Sequence, residues 1–216
     1  MLIAGVDEAG RGPVIGPMTI CCLVVDEAGE KRLKEIGVKD SKLLTPEKRA
    51  SLRKEIKKIA HTYRVERIQP KYIDRYRDDA SLNEMEAEFI GGLIRKLGPD
   101  KVYVDSPDRP PIVFANRIRK YLKDPMIIHS HNRGERFPVV AAASILAKVE
   151  RDREIEKLKK KYGEIGSGYP SDEVTIKFLQ DWIRKNKEYP EIVRKSWYTA
   201  WRLNEEKCQS RLGEWF

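Results

Sequence analysis

The feature that most constrains this chain is a pair of apolar, β-branched runs, LIAGV (2–6) and MTICCLVV (18–25), separated by the glycine- and proline-rich DEAGRGPVIGP. Runs of this composition, bounded by Gly and Pro, form strands, and the intervening glycines allow the two to pair antiparallel. Asp7 and Glu8 stand where the first run meets the glycines. Two adjacent carboxylates are costly at a strand end that needs only a turn, so they call for a chemical reason.

Further elements follow along the chain. TPEKRASLRKEIKKIA begins a helix, with Thr45 as N-cap and Pro46 in the first helical position. YRVERIQP predicts a short strand. Ser81, with Glu84 three residues later, predicts a capping box. Leu82, Met85, Phe89, Leu93 and Ile94 then recur at helical spacing until Gly98-Pro99 ends the helix. KVYVD (101–105) is a strand ending on Asp105, and PMIIHS (125–130) is another. VVAAASILAKVERDREIEKLKKKYG is a long helix whose Ala141, Ala142, Ala143 and Ser144 are small enough to pack closely on a sheet; its charged later half is expected in solvent. Beyond Tyr189-Pro190 the pattern gives a short helix and a tail. The order predicts an α/β fold, a mixed sheet with helices on its faces.

At 216 residues the chain is one domain, or one domain with a small appendage. Its formal net charge of +9 suggests a polyanionic partner, nucleic acid above all. The alternative is a densely charged surface with a chance excess of lysine. Cys21, Cys22 and Cys208 have neither metal-ligand spacing nor the look of a disulfide framework. No apolar run approaches the roughly 20 residues that span a bilayer, and the N-terminus lacks a secretory pattern. A reduced, cytoplasmic protein with no membrane segment is expected.

The acids carry the chemistry. Asp7 and Glu8 end one strand, Asp105 ends another, and Glu135 lies just before the long helix. Neighbouring strand ends can gather separated carboxylates, and such a group repels itself unless cations fill it. Oxygen-only ligation suits Mg²⁺ or Mn²⁺, and two ions roughly 3.5–4 Å apart can drive phosphodiester hydrolysis. Asp7 or Asp105 could instead cap a turn. Glu8 cannot share a face with Asp7 in a regular strand, so either the strand breaks there or the pair is split. Paired carboxylates also serve glycosidases, but no aromatic sugar platform adjoins these acids. Gly10 and Gly12 permit close backbone approach, and Arg11 between them suits phosphate. Lys42, Ser144 and Lys148 are plausible phosphate contacts, and Tyr169 in GSGYPSD can stack on a sugar or base or simply cover the core.

Taken together and in this order, GVDEAGRGPVIGP, DSKLL, VDSPD, AAASILAKVERDR and GSGYPSD resemble the archaeal type of ribonuclease HII over nearly the whole length. The resemblance implies a ribonuclease H-like fold, a mixed five-stranded sheet flanked by helices, with a C-terminal helical extension. Expected boundaries are 1–170 for the catalytic domain, 171–206 for the extension and 207–216 for the tail. It implies Mg²⁺- or Mn²⁺-dependent cleavage of RNA in RNA/DNA hybrids and at single ribonucleotides in duplex DNA, leaving 3′-hydroxyl and 5′-phosphate ends. Asp7, Glu8 and Asp105 match three of the family's four carboxylates; Gly10, Arg11 and Gly12 match its 2′-hydroxyl-reading motif; Tyr169 matches the tyrosine at the RNA–DNA junction. Reading that hydroxyl is how a protein tells RNA from DNA.

The chain departs from the family at HNRGERFPVVAAAS, where His-Lys-Ala-Asp is usual: Gly134 takes the acid's place, with Glu135 next. Either Glu135 is the fourth ligand or one metal site is weakened. The second possibility leaves an alternative, a clamp-tethered hybrid binder with impaired catalysis. A related metal nuclease acting on DNA junctions is a third reading, for which the GRG–Tyr169 combination would have no ribose to sense. Finally, Gln209, Leu212, Trp215 and Phe216 resemble the peptide that docks on the sliding clamp (PCNA), where a one-turn helix presents Leu and two aromatics to an apolar groove; the aromatics could instead fold back on the domain. A monomer is expected.

Overall fold

The computed structural model describes residues 1–39 and 41–213, except for the side chains of 78, 79 and 207–213. Five strands, β1 (Leu2–Ala9), β2 (Met18–Asp26), β3 (Thr62–Ile68), β4 (Lys101–Asp105) and β5 (Ile127–His131), form one sheet in the order β3-β2-β1-β4-β5. β1 pairs antiparallel with β2, as predicted, and parallel with β4, which pairs parallel with β5. The described residues also form α1 (Glu27–Glu35), α2 (Pro46–Ile59), α3 (Pro70–Asp79), α4 (Leu82–Leu97), α5 (Ile112–Arg119), α6 (Pro138–Tyr162), α7 (Glu173–Lys185) and α8 (Tyr198–Gly213). α5 supplies the crossover that the parallel pair β4–β5 requires. The mixed five-stranded sheet with helices is the predicted architecture.

Local chemistry sets the helix ends. Thr45 Oγ1 accepts from the Lys48 N–H, and Ser81 Oγ accepts from the Glu84 N–H. Gly98 closes α4 at φ +60°, a conformation glycine adopts without penalty. The capping box is only half made. The Glu84 carboxylate instead accepts from Arg117 (2.7 Å), the Tyr121 hydroxyl (2.9 Å) and Lys120 (3.3 Å), because a charged guanidinium outcompetes a backbone N–H.

The chain forms two compact units of non-contiguous segments. One comprises Met1–Ala9, Thr19–Arg67 and Ala80–Arg151; the other comprises Gly10–Met18, Ile68–Asp79 and the chain from Asp152. In the first, Ile3, Cys21, Leu23 and Val25 pack with Val139, Val140, Ala142, Ala143 and Leu146 of α6. Each such fully buried aliphatic side chain contributes roughly 1.5–3 kcal/mol. Gly5 is what lets the helix come so close: a Cβ there would lie 2.3 Å from the backbone carbonyl of Val139. The small residues of α6 therefore do pack on the sheet, and Cys21 and Cys22 are buried free thiols.

In the second unit, Val14, Ile15, Leu179, Ile183, Val193 and Leu203 form the core together with Ile155. This corrects the expectation that the later half of α6 projects into solvent. Ile155 is buried, and Leu158 and Tyr162 pack beside it, because the apolar residues of a highly charged segment still share one helical face. After Pro190 the expected short helix is longer than anticipated, since α8 runs 16 residues. Among the described residues no helix is long and apolar enough to cross a membrane.

Candidate active site

In the first unit, β1 and β4 lie side by side and each carries an acid near its C-terminal end. β1 stays regular through Ala9, with Asp7 opposite Cys21 and Glu8 opposite Ile20 on β2. The two acids therefore lie inside the strand, not beyond its end, and their charges couple. Asp7 shares a face with Ile3, Cys21 and α6. It is half-buried, yet the protein packed around its carboxyl desolvates it enough to push its pKa well above the ordinary carboxylate range, and the charges of Glu8 and Asp105 push the same way. The Ser144 hydroxyl and the Glu8 N–H (2.8 Å) donate to Asp7 and oppose the shift.

Ser144 is buried, and its hydroxyl also meets that of Ser41 at 2.9 Å. In this structure it holds Asp7 from within. Lys42 follows Ser41 in a short 3-10 turn, Ser41–Leu43, where its charge favours ionised Asp105. Lys148 lies one turn beyond Ser144 on α6 and is half-buried.

Asp105 is likewise raised, first by desolvation and then by Glu135, while the Gly134 N–H donates to it at 2.7 Å and lowers it. That hydrogen bond comes from a 3-10 turn, Gly134–Arg136, pressed onto β4. A Cβ at Gly134 would lie 2.9 Å from both Cα and Cβ of Asp105. In this backbone no acid fits at position 134, whereas Glu135 is half-buried and within electrostatic reach of Asp105.

The donor set is all oxygen, and it contains a desolvated carboxyl pressed by two further carboxylates, which suits a hard divalent cation. Among the described residues, however, no three His, Cys, Asp or Glu side chains converge as a metal-holding group. Asp7 accepts from the Ser144 hydroxyl and the Glu8 N–H, and Asp105 from the Gly134 N–H.

In the second unit the GRG segment is held by residues that the sequence did not single out. Arg194 is fully buried; it donates to the carbonyls of Gly10 (2.6 Å), Arg11 (3.0 Å) and Gly16 (3.0 Å), and it stacks on Trp197. The Trp197 indole N–H donates to the Gly12 carbonyl at 3.0 Å. Gly10 sits at φ +86°, where a side chain would be strained. Gly12 and Tyr169 come together: a Cβ on Gly12 would touch the Tyr169 ring at 3.8 Å. The tyrosine loop is itself pinned. Asp172 accepts from the Ser167 N–H and hydroxyl and from the Val174 N–H, and these hydrogen bonds pull its pKa down to about 2. Only the RKSW tetrapeptide at 194–197 could have flagged Arg194 and Trp197, and a cation beside an aromatic is too common to do so.

Trp215 and Phe216 lie outside the described residues, as do the side chains of Gln209 and Leu212.

The family model for Ribonuclease HII matches residues 4–200. Ribonuclease HII of Pyrococcus horikoshii is 47% identical, over 98% of this chain and 97% of that one. The crystal structure of the ribonuclease H2 from Pyrococcus horikoshii OT3 superposes with a TM-score of 0.89, covering 95% of this chain and 98% of that one. The structure of the PCNA:RNase HII complex from Archaeoglobus fulgidus matches at 39% identity with a TM-score of 0.84, covering 91% and 95%.

Proposed function

Because the chain belongs to the ribonuclease HII family, a family of metal-dependent endonucleases, we propose that it cuts the RNA strand of RNA/DNA hybrids and single ribonucleotides embedded in duplex DNA. The observation that carries this reading is the pairing of β1 with β4, which couples the charges of Asp7 and Asp105. Asp7, Glu8, Asp105 and Glu135 would hold Mg²⁺ or Mn²⁺, as two ions. When bound, the metal supplies an activated water and stabilises the leaving oxygen. Ser144 and Gly134 orient the two central carboxylates, Lys42 offsets their charge, and Lys148 meets the phosphate. Gly10, Arg11 and Gly12 read the 2′-hydroxyl, their carbonyls fixed by Arg194 and Trp197, while Tyr169 stacks at the RNA–DNA junction. Ends with a 3′-hydroxyl and a 5′-phosphate result when water attacks the phosphorus and the bond from phosphorus to the 3′ oxygen breaks.

The Archaeoglobus relative is known in complex with PCNA. On this chain Gln209, Leu212, Trp215 and Phe216 would make the equivalent contact, keeping a monomeric enzyme beside newly made DNA for replication and ribonucleotide removal. The impaired-catalysis alternative gains no support, since Glu135 stands next to Gly134 and couples to Asp105.

The test is a DNA duplex with one embedded ribonucleotide, incubated with Mg²⁺ or Mn²⁺ and either wild type or Glu135→Ala. Wild-type cleavage that collapses in the variant supports Glu135 as the fourth ligand. Equal cleavage by both removes it from the set. Binding without cleavage by wild type would overturn the catalytic reading.

A further inference from the structure

Beside the acids, the first unit holds a concave surface that the proposed chemistry does not use. It is a cavity of about 340 Å³ lined by Arg109, His131, Asn132, Arg133, Arg136 and Phe137. Its two walls are tied together. The Asn132 amide donates to the carbonyls of Ser106 (3.0 Å) and Asp108 (2.8 Å), and the Ser106 N–H donates to the His131 carbonyl at 2.8 Å. His131 is the partner of Asp105 in the parallel ladder, and Arg136 follows Glu135, so the cavity borders the acidic set.

Its charge is one-sided. Three guanidiniums line it and no carboxylate does. Other arginines of this unit do have carboxylate partners: Arg67 pairs with Glu150, and Arg117 with Glu84 and Asp108. Isolated surface cations are simply solvated, but three converging on one concavity repel one another until an anion joins them. The planar guanidinium fork suits phosphate oxygens. An apolar wall completes the cavity: Phe137 stacks on Tyr103 with centroids 4.5 Å apart and tilts against His131 at 4.7 Å. The volume lies at the small end of the range for ligand sites, about 300–1,000 Å³, which is room for a phosphate with its sugar.

We propose that this arginine cavity is a phosphodiester-binding subsite that grips the nucleic-acid strand flanking the acidic set. The proposal rests on the reading of the substrate as nucleic acid. It is tested with the full chain in Ca²⁺, with a gel to check that the strand stays uncut, by measuring affinity for a labelled RNA/DNA hybrid across a salt series. The variant Arg109→Gln/Arg133→Gln/Arg136→Gln should bind about tenfold more weakly, and its plot of log affinity against log salt should be shallower by about 2, at roughly 0.7–0.9 per lost phosphate contact. The corresponding triple Arg→Lys variant should recover most of that slope, which a purely structural role would not predict. If the Gln triple melts early, the three single Arg→Gln variants are read the same way, each about twofold weaker. Wild-type affinity and slope in the Gln variants would overturn the subsite while leaving wild-type binding and cleavage intact. Unchanged hybrid affinity with arginine-dependent uptake of inorganic phosphate would also overturn it, as a free-anion site. No hybrid binding by wild type would instead remove the substrate reading and the subsite with it.

Discussion

At the scale of single residues, the position where an ungapped family match expects an acid is one where this backbone takes glycine. Gly134 is needed for contact, not chemistry: its missing Cβ leaves room for the backbone of Asp105, and its N–H holds that carboxylate. Gly134→Ala is therefore expected to force β4 and the turn apart, at the cost of about 1–3 kcal/mol typical of overpacking. Turnover should fall as Asp105 shifts. A melting curve and a cleavage assay check this, and an unchanged Tm would show that the turn yields freely. Asp105→Asn should abolish turnover yet leave the fold nearly intact, because it relieves repulsion without opening the core; a Tm well below wild type in the absence of metal would contradict that. Asp172 offers a pH test away from the acids. Its folded pKa of about 2 lies below the ordinary value of about 3.9. Its contribution is then complete above that ordinary value and lost as pH falls toward 2. The stability gap between wild type and Asp172→Asn should shrink between about pH 4 and pH 2; a gap that stays flat across that window would remove Asp172 as the loop's pin.

At the scale of elements, what the sequence could reveal was whatever local chemistry determines. Thr45 and Ser81 as caps, Gly98 as a stop, the antiparallel first hairpin and the alanines of α6 were all readable, because each depends on neighbours in sequence or on residue size. Asp7 and Asp105 were readable as strand acids. That β1 and β4 are adjacent was not, since strand order depends on which crossovers pack. Arg194 was hidden for the same reason, as the carbonyls it joins lie 178–184 residues away. Glu84 misled because its tertiary partners outbid its local one. The Arg194 arrangement predicts that Arg194→Met takes the donor from two buried backbone acceptors, at Gly10 and Gly16, at about 1–3 kcal/mol each, and from a partly buried one at Arg11. The Gly10–Gly16 segment should then exchange its amide hydrogens faster, and KM for a ribonucleotide-bearing duplex should rise more than kcat falls. Unaltered exchange in that segment would reduce Arg194 to a core residue with no part in shaping the loop.

At the scale of the whole molecule, the question is whether the excess of +9 is a diffuse field or a set of contacts. Much of the basic surface is locally balanced: Lys58 lies 2.9 Å from Glu55 and Lys157 lies 2.7 Å from Glu154, each pair three residues apart on a helix. Exposed pairs of this kind add little to stability and present little net charge to a polyanion. The substrate contacts proposed above place the charge that matters for binding at Arg11, Lys42 and Lys148, and the one-sided lining of the arginine cavity adds its own. Salt dependence separates the two cases, because only cations that displace counterions from phosphates enter the slope of log affinity against log salt, each by roughly 0.7–0.9. Arg11→Gln and Lys148→Gln should each flatten the slope for an RNA/DNA hybrid by about that amount, whereas Lys58→Gln, which removes the same unit of charge, should leave it unchanged. Equal flattening by all three would mean that the strand senses only net charge, and the residue-level contacts proposed for Arg11 and Lys148 would have to be given up.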